Sequence, residues 1–224
     1  MTGEAERFFD AIAGRYDREY ALPASLSKER LRCVIGKLPP APARVLDLGV
    51  GTGRELSALL DAGYAPTGVD VSREMLERCA RRARPVPLVR ADFWGPLPFD
   101  KGSFEAAIAL HGTLAHAPGD DALRALGTEL ARVLAPGGVL LAEVPTPVWL
   151  DRLELLPAAD DRRLLRTGPF TCTFEDRVAG AAIAARVLTE AEWMSALGPG
   201  WNVGVEALEA AGDLEWLVLA RRSR

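Results

Sequence analysis

The chain is organised around one run, Val45-Leu46-Asp47-Leu48-Gly49-Val50-Gly51-Thr52-Gly53. Its first half is apolar enough for a strand buried on both faces. In its second half glycine stands at every other position, so the backbone can turn sharply and another group can approach it closely. Residues 54–61 favour a helix, closed by Ala62-Gly63. Buried strand, glycine turn and helix in that order open a parallel α/β sheet. The free N–H groups of the helix N-terminus then face the turn and favour an anionic group.

The alternation continues. Residues 66–69 read as a second strand, Ser72 caps a helix reaching about Arg82, and 86–89 read as a third strand. Residues 104–110 give a fourth strand, 120–134 a helix and 138–144 a fifth strand. Upstream, a helix over 4–20 puts Phe8, Phe9, Ile12 and Ala13 on one face and stops at Leu22-Pro23; a second helix covers 27–37. After Pro145 the rhythm breaks, because Pro145-Thr146-Pro147 cannot continue a central strand. Residues 149–166 read as a helix with charged faces, and 171–178 and 182–188 as two strands. Thr189-Glu190-Ala191-Glu192 has capping-box spacing for a short helix to Leu197. Residues 201–207 and 215–220 read as a closing antiparallel pair. Right-handed crossovers make this a Rossmann-like, doubly wound α/β fold. Its sheet is mostly parallel and seven-stranded with an antiparallel last strand, with N-terminal helices and an insertion after the fifth strand. One domain spans 1–224: a helical cover (1–40), a core (41–145), the insertion (146–188), and a C-terminal helix and strand pair (189–224).

Charge and cysteine usage exclude several classes. The 27 basic and 31 acidic residues leave a net charge of −4, with pI about 5.4. That is a poor footprint for nucleic acid. Arg78, Arg81, Arg82 and Arg84 form the best local basic patch, and they read first as a solvated helix face. Cys33, Cys79 and Cys172 have neither disulfide nor metal-ligand spacing, so no metal is expected and a reducing, cytoplasmic setting fits. The N-terminus lacks the apolar segment of a signal peptide, and no apolar run is long enough to span a membrane.

Asp70 ends the second strand, where a carboxylate can accept both hydroxyls of a ribose. The glycine spacing is not that of a dinucleotide fingerprint, since Arg54 stands where G-x-G-x-x-G wants its third glycine. Asp47 beside the loop would also repel a pyrophosphate. The loop therefore suits a nucleoside without a large anionic group. The run 45–53 resembles the first motif of the class I S-adenosylmethionine-dependent methyltransferases, and Gly68-Val69-Asp70-Val71-Ser72-Arg73-Glu74-Met75-Leu76 resembles their second. Ala91-Asp92-Phe93 through Gly102-Ser103-Phe104, and Arg132 to Leu140, are similar to their later motifs. Phe8-Phe9-Asp10 to Tyr16-Asp17 resembles the leading helix of the small-molecule, type 11-like branch. Val50, where that family often has Cys or Ala, is a mild departure.

The resemblance implies S-adenosylmethionine as cofactor, held by the core; the broken rhythm of 146–188 and its aromatics Trp149, Phe170 and Phe174 put the insertion over the substrate side as an expectation. The resemblance implies that Asp47, Gly49, Gly51 and Gly53 hold the methionine part and Asp70 the ribose. Val71 and Met75 would pack on the adenine, with Asp92 and the Phe93 backbone bonding its edge. Leu110 would lie near the sulfonium, and Tyr16 would close over the methionine end. The implied reaction is in-line methyl transfer to a small-molecule O or N acceptor. For any proton the acceptor must lose, His111, directly after the fourth strand, is the candidate base. His116, the one other histidine, precedes Ala117-Pro118-Gly119 in a loop. No Asn/Asp-Pro-Pro-Tyr/Phe follows the fourth strand and no Pro-Cys pair exists, which disfavours the amine of adenine and the carbon of cytosine as acceptors. Trp94, Trp149, Phe170, Phe174 and Trp193 are candidates for an apolar pocket or for plain core. An RNA or protein methyltransferase, and a non-catalytic module that binds the cofactor, remain as alternatives.

Overall fold

The computed structural model describes residues 2–20, 23–82, 84–153, 161–208 and 214–223. At its centre lies β1 (Arg44–Leu48), buried from Val45 onward. β1 pairs in parallel with β2 (Ala65–Asp70) on one side and β4 (Phe104–Ala109) on the other, so that Leu46 lies between Thr67 and Ala107. β3 (Leu88–Arg90) and β5 (Leu134–Pro145) extend the parallel set outward. β10 (Glu215–Arg222) runs antiparallel to β5, and β9 (Trp201–Ala207) pairs antiparallel with β10. The seven-stranded order is β3-β2-β1-β4-β5-β10-β9, the doubly wound sheet expected from the sequence.

Alternation along the strands divides the core. Leu46, Leu48, Ala107 and Ala109 meet Leu123, Leu126 and Leu130 of α6 (Asp120–Val133) and Trp193 of α8 (Glu190–Ala196). Val45, Ala106 and Ile108 face the other way, onto Val34 of α3 (Ala24–Ile35) and Leu59 of α4 (Leu56–Asp61). The capping box of α8 is complete: Thr189 accepts from the Glu192 N–H, and the Glu192 carboxylate accepts from the Thr189 N–H. Trp193 is therefore core rather than pocket wall.

Two expectations are corrected. The helix over 4–20 is two helices, α1 (Thr2–Ile12) and α2 (Tyr16–Glu19), with a turn at 13–15; its expected stop at Leu22 lies outside the described residues. Asp10 of α1 is anchored elsewhere. Its carboxylate accepts from the Ser72 hydroxyl (2.5 Å) and the Glu74 N–H (3.1 Å) at the start of α5 (Arg73–Arg82). The turn then redirects the chain so that Tyr16 points inward.

The helix over 149–166 is also not formed as expected. α7 (Pro147–Asp151) is one short helix, capped by Thr146, and Arg162–Gly168 is a strand, β6. Residues 154–160 lie outside the described ones. β6 joins β7 (Thr171–Asp176) and β8 (Ala181–Arg186) in a separate three-stranded antiparallel sheet. Cys172, Ala185 and Val187 of this insertion pack on Leu150, Leu153 and Ala115. Phe170 is exposed, contrary to a place in a pocket. Among the described residues no helix is long and apolar enough to cross a membrane.

Candidate active site

The carboxyl ends of the parallel strands and the first turns after them enclose a cavity of about 310 Å³. β1 delivers the glycine loop. Gly49 sits at φ +71°, and a Cβ there would lie 2.7 Å from the Thr113 side chain. Gly51 sits at φ +53° with its open side toward the cavity, the nearest atom to an added Cβ being 3.9 Å away. Both positions favour glycine, and Gly51 leaves the backbone bare to a ligand. Gly53 does not reach the cavity: a Cβ there would strike the Cys79 sulfur, so its role is to pack the loop against α5.

Asp70 closes β2 and fastens the loop. Its Oδ2 accepts from the Gly51 N–H (2.8 Å) and its Oδ1 from the Ser72 N–H (2.9 Å). Burial raises its carboxyl to about 6, against the lowering effect of those N–H groups. Asp47, on the neighbouring strand β1, is buried and its Oδ2 has no hydrogen-bond partner among the described residues. Burial, with Glu55 and Asp70 nearby, holds it well above the usual carboxylate range. A buried carboxylate oxygen left unpaired is costly unless something completes it. Val71, Met75, Asp92 and Phe93 line the far end of the cavity, and the Asp92 carboxylate accepts from the Trp94 N–H (3.1 Å).

The near end is covered by α2. Tyr16 lines the cavity, and burial raises its phenol to about 12. The Arg54 guanidinium lies over its ring, 4.6 Å from the centroid, and donates to the carbonyls of Tyr16 and Tyr20. Asp17 accepts from the Thr52 hydroxyl (2.6 Å), Arg54 Nε (3.0 Å) and Arg82 (2.6 Å). The residue that breaks the dinucleotide spacing thus ties the cover to the loop.

Beside Leu110, His111 takes a left-handed backbone, φ +55°. Its N–H donates to Glu143 Oε2 (2.8 Å), and the next N–H, of Gly112, donates to the Glu143 carbonyl (3.2 Å). Glu143 is itself buried and paired with Arg30 of α3. His111 Nε2 lies 2.6 Å from Glu55 Oε1, whereas Nδ1 comes no nearer to Glu143 than 4.0 Å. Burial lowers the imidazole, but the Glu55 bond and the charges of Glu55 and Glu143 outweigh it, leaving His111 above its ordinary value. His116 borders the same cavity from a 3-10 turn, Thr113–His116.

Of the residues expected from the sequence, Tyr16, Asp47, Gly49, Gly51, Asp70, Val71, Met75, Asp92, Phe93, Leu110 and His111 all face this one cavity. Sequence reasoning missed Glu55, Arg54 and Phe9 on its wall. Glu55 had a signal, an acid directly behind the glycine loop; Phe9 had none beyond an apolar helix face. No cluster of three or more possible metal ligands occurs among the described residues.

Residues 45–138 match the family model for a methyltransferase domain. A Micromonospora griseorubida protein, provisionally named a 23S rRNA (guanine-N(1)-)-methyltransferase, is 35% identical over 180 residues, covering 72% of this chain and 56% of its own. A demethylmenaquinone methyltransferase of Corynebacterium kroppenstedtii is 36% identical over 148 residues, covering 65% and 62%. The chain thus spans about three fifths of the length of these relatives. The structure of the CcbJ methyltransferase from Streptomyces caelestis superposes with TM-score 0.74 at 21% identity, covering 99% of each chain. Motifs, cavity and family model agree: residues 45–138 carry a methyltransferase domain, whose motifs resemble the class I, S-adenosylmethionine-dependent, type 11-like kind, on a fold shared with the Streptomyces caelestis methyltransferase.

Proposed function

We propose that the protein transfers a methyl group from S-adenosylmethionine to a small-molecule O or N acceptor, in the cytoplasm. The observation that carries this is the Asp47 oxygen, buried and unpaired in a cavity also lined by Glu55, Asp70 and Asp92. Such a wall suits a cationic nucleoside and repels a pyrophosphate. Asp47, Gly49 and Gly51 would hold the methionine part, Asp70 the ribose hydroxyls, Asp92 and the Phe93 backbone the adenine edge, with Val71 and Met75 against its faces. When bound, the sulfonium supplies an already activated methyl carbon. The chain's part is to place the acceptor in line and exclude water, which is worth about 7–11 kcal/mol in favourable cases. Tyr16, under Arg54, excludes water at the methionine end while staying protonated. His111, its Nε2–H on Glu55, keeps Nδ1 to take the acceptor's proton.

The rRNA name of one relative supports a second reading, an RNA acceptor. Against it, three of the four arginines of α5 are already engaged, Arg73 and Arg81 with Glu77 and Arg82 with Asp17, which leaves Arg78. Calorimetry with S-adenosylmethionine and S-adenosylhomocysteine tests the proposal, with one site per chain expected. No heat and no thermal shift at millimolar ligand would refute it.

A further inference from the structure

We infer that His116 recognises the methyl acceptor by accepting a hydrogen bond from an O–H or N–H on an otherwise apolar molecule. This rests on the methyltransferase reading for the place of the acceptor, but not for the chemistry of His116 itself. Two histidines border the cavity, and their surroundings push them apart. His111 meets carboxylates. His116 meets a carbonyl: its Nδ1–H donates to Ala184 of β8 (2.8 Å). A carbonyl only accepts, so the neutral ring carries its proton on Nδ1 and its lone pair on Nε2. Among the described residues nothing donates to that nitrogen.

Burial holds the His116 imidazole below its ordinary value, more than the Ala184 bond and the charge of Glu4 on α1 restore. The ring is therefore neutral near pH 7 and ready to accept. Its position is fixed from both sides, with the Phe9 ring of α1 edge-on at 5.7 Å and the Phe174 ring of β7 at 6.1 Å. Trp149 stacks behind Phe174 at 6.2 Å. Ala5, Phe9 and Pro118 continue the wall on which His116 lies. An apolar wall with one oriented acceptor separates a molecule that offers a hydrogen from its isostere that does not.

The probes are 2-naphthol and 2-methoxynaphthalene, titrated by calorimetry into protein saturated with S-adenosylhomocysteine. Wild-type protein is expected to bind 2-naphthol about tenfold more tightly, the effect of one neutral hydrogen bond. His116→Asn keeps an N–H for Ala184 but has no acceptor at the Nε2 position. It should erase the preference while leaving S-adenosylhomocysteine affinity and Tm unchanged. His116→Gln puts an amide oxygen near Nε2 and should restore part of the preference. Equal affinity of the wild type for both probes, binding of neither, or a preference that survives in His116→Asn overturns the inference. Failure to bind S-adenosylhomocysteine would remove the methyltransferase reading alone, because the two probes titrated into free protein still decide the role of His116.

Discussion

At the scale of single residues the site shows opposed demands on neighbouring groups. His111 adopts a left-handed backbone that a bulky residue rarely takes, and the Glu143 carboxylate and carbonyl hold it there. Asparagine tolerates the same conformation, so His111→Asn should fold. With a hydroxyl or protonated amine as acceptor, the variant should transfer methyl groups about 10²–10⁴-fold more slowly, while S-adenosylhomocysteine affinity stays the same. A wild-type single-turnover rate on such an acceptor would remove His111 from the chemistry. The position of His111 was legible in the sequence, because the end of the fourth strand is where a doubly wound sheet places working groups. Its partners were not: Glu55 and Glu143 stand 56 and 32 residues away.

At the scale of elements, α2 closes one end of the cavity and is held there by Asp17 together with Arg54, which donates to the Tyr16 and Tyr20 carbonyls. Thr52, Arg54 and Arg82 outweigh partial burial and hold the Asp17 carboxyl below its usual range. Asp17→Ala would cut three bonds that hold the cover, two to the glycine loop at Thr52 and Arg54 and one to Arg82 of α5. These are partly exposed pairs, worth about 0.2–1 kcal/mol each. Global stability should therefore change little, whereas S-adenosylhomocysteine should leave about 3–30-fold faster in stopped flow. Amide exchange over 13–20 should rise in parallel; an unchanged off-rate would show that the cover does not gate release. The break in the N-terminal helix escaped the sequence because the apolar face of 4–20 is nearly continuous, and what turns the chain is a tertiary tie from Asp10 to α5. β6 escaped for a similar reason. Arg162, Arg163 and Arg166 around Leu164 and Leu165 resemble a charged helix face, and pairing with β7 decides otherwise.

At the scale of the whole molecule, the site stores a pH dependence. A carboxyl whose folded value exceeds its unfolded one binds more protons in the folded state, so stability falls as pH rises between the two. For Asp70 that window runs from the ordinary 3.8 to about 6, on the order of 3 kcal/mol. Asp47 acts in the same direction. Asp17, held below its usual range, acts below the window; Glu129, held below its own 4.5, and His116, held below 6.5, oppose the fall inside it; His111, held above its own value, acts above it. The free protein should therefore lose stability in denaturant melts from pH 4 to 6, and Asp70→Asn should flatten that slope. The same variant should weaken S-adenosylhomocysteine by about 2–4 kcal/mol, since the acceptor proposed for the ribose hydroxyls loses its charge. An identical slope in variant and wild type would place the titration elsewhere. The sequence by itself determined the sheet, the glycine loop and the acids at its strand ends, because strand, turn and helix signals act over a few residues. Only the tertiary structure decided that β6 joins β7 and β8 in a separate sheet, the Asp17 ties, the unpaired Asp47 oxygen and the tautomer of His116. Those depend on burial and on partners far along the chain, and no local pattern encodes how much water a side chain keeps.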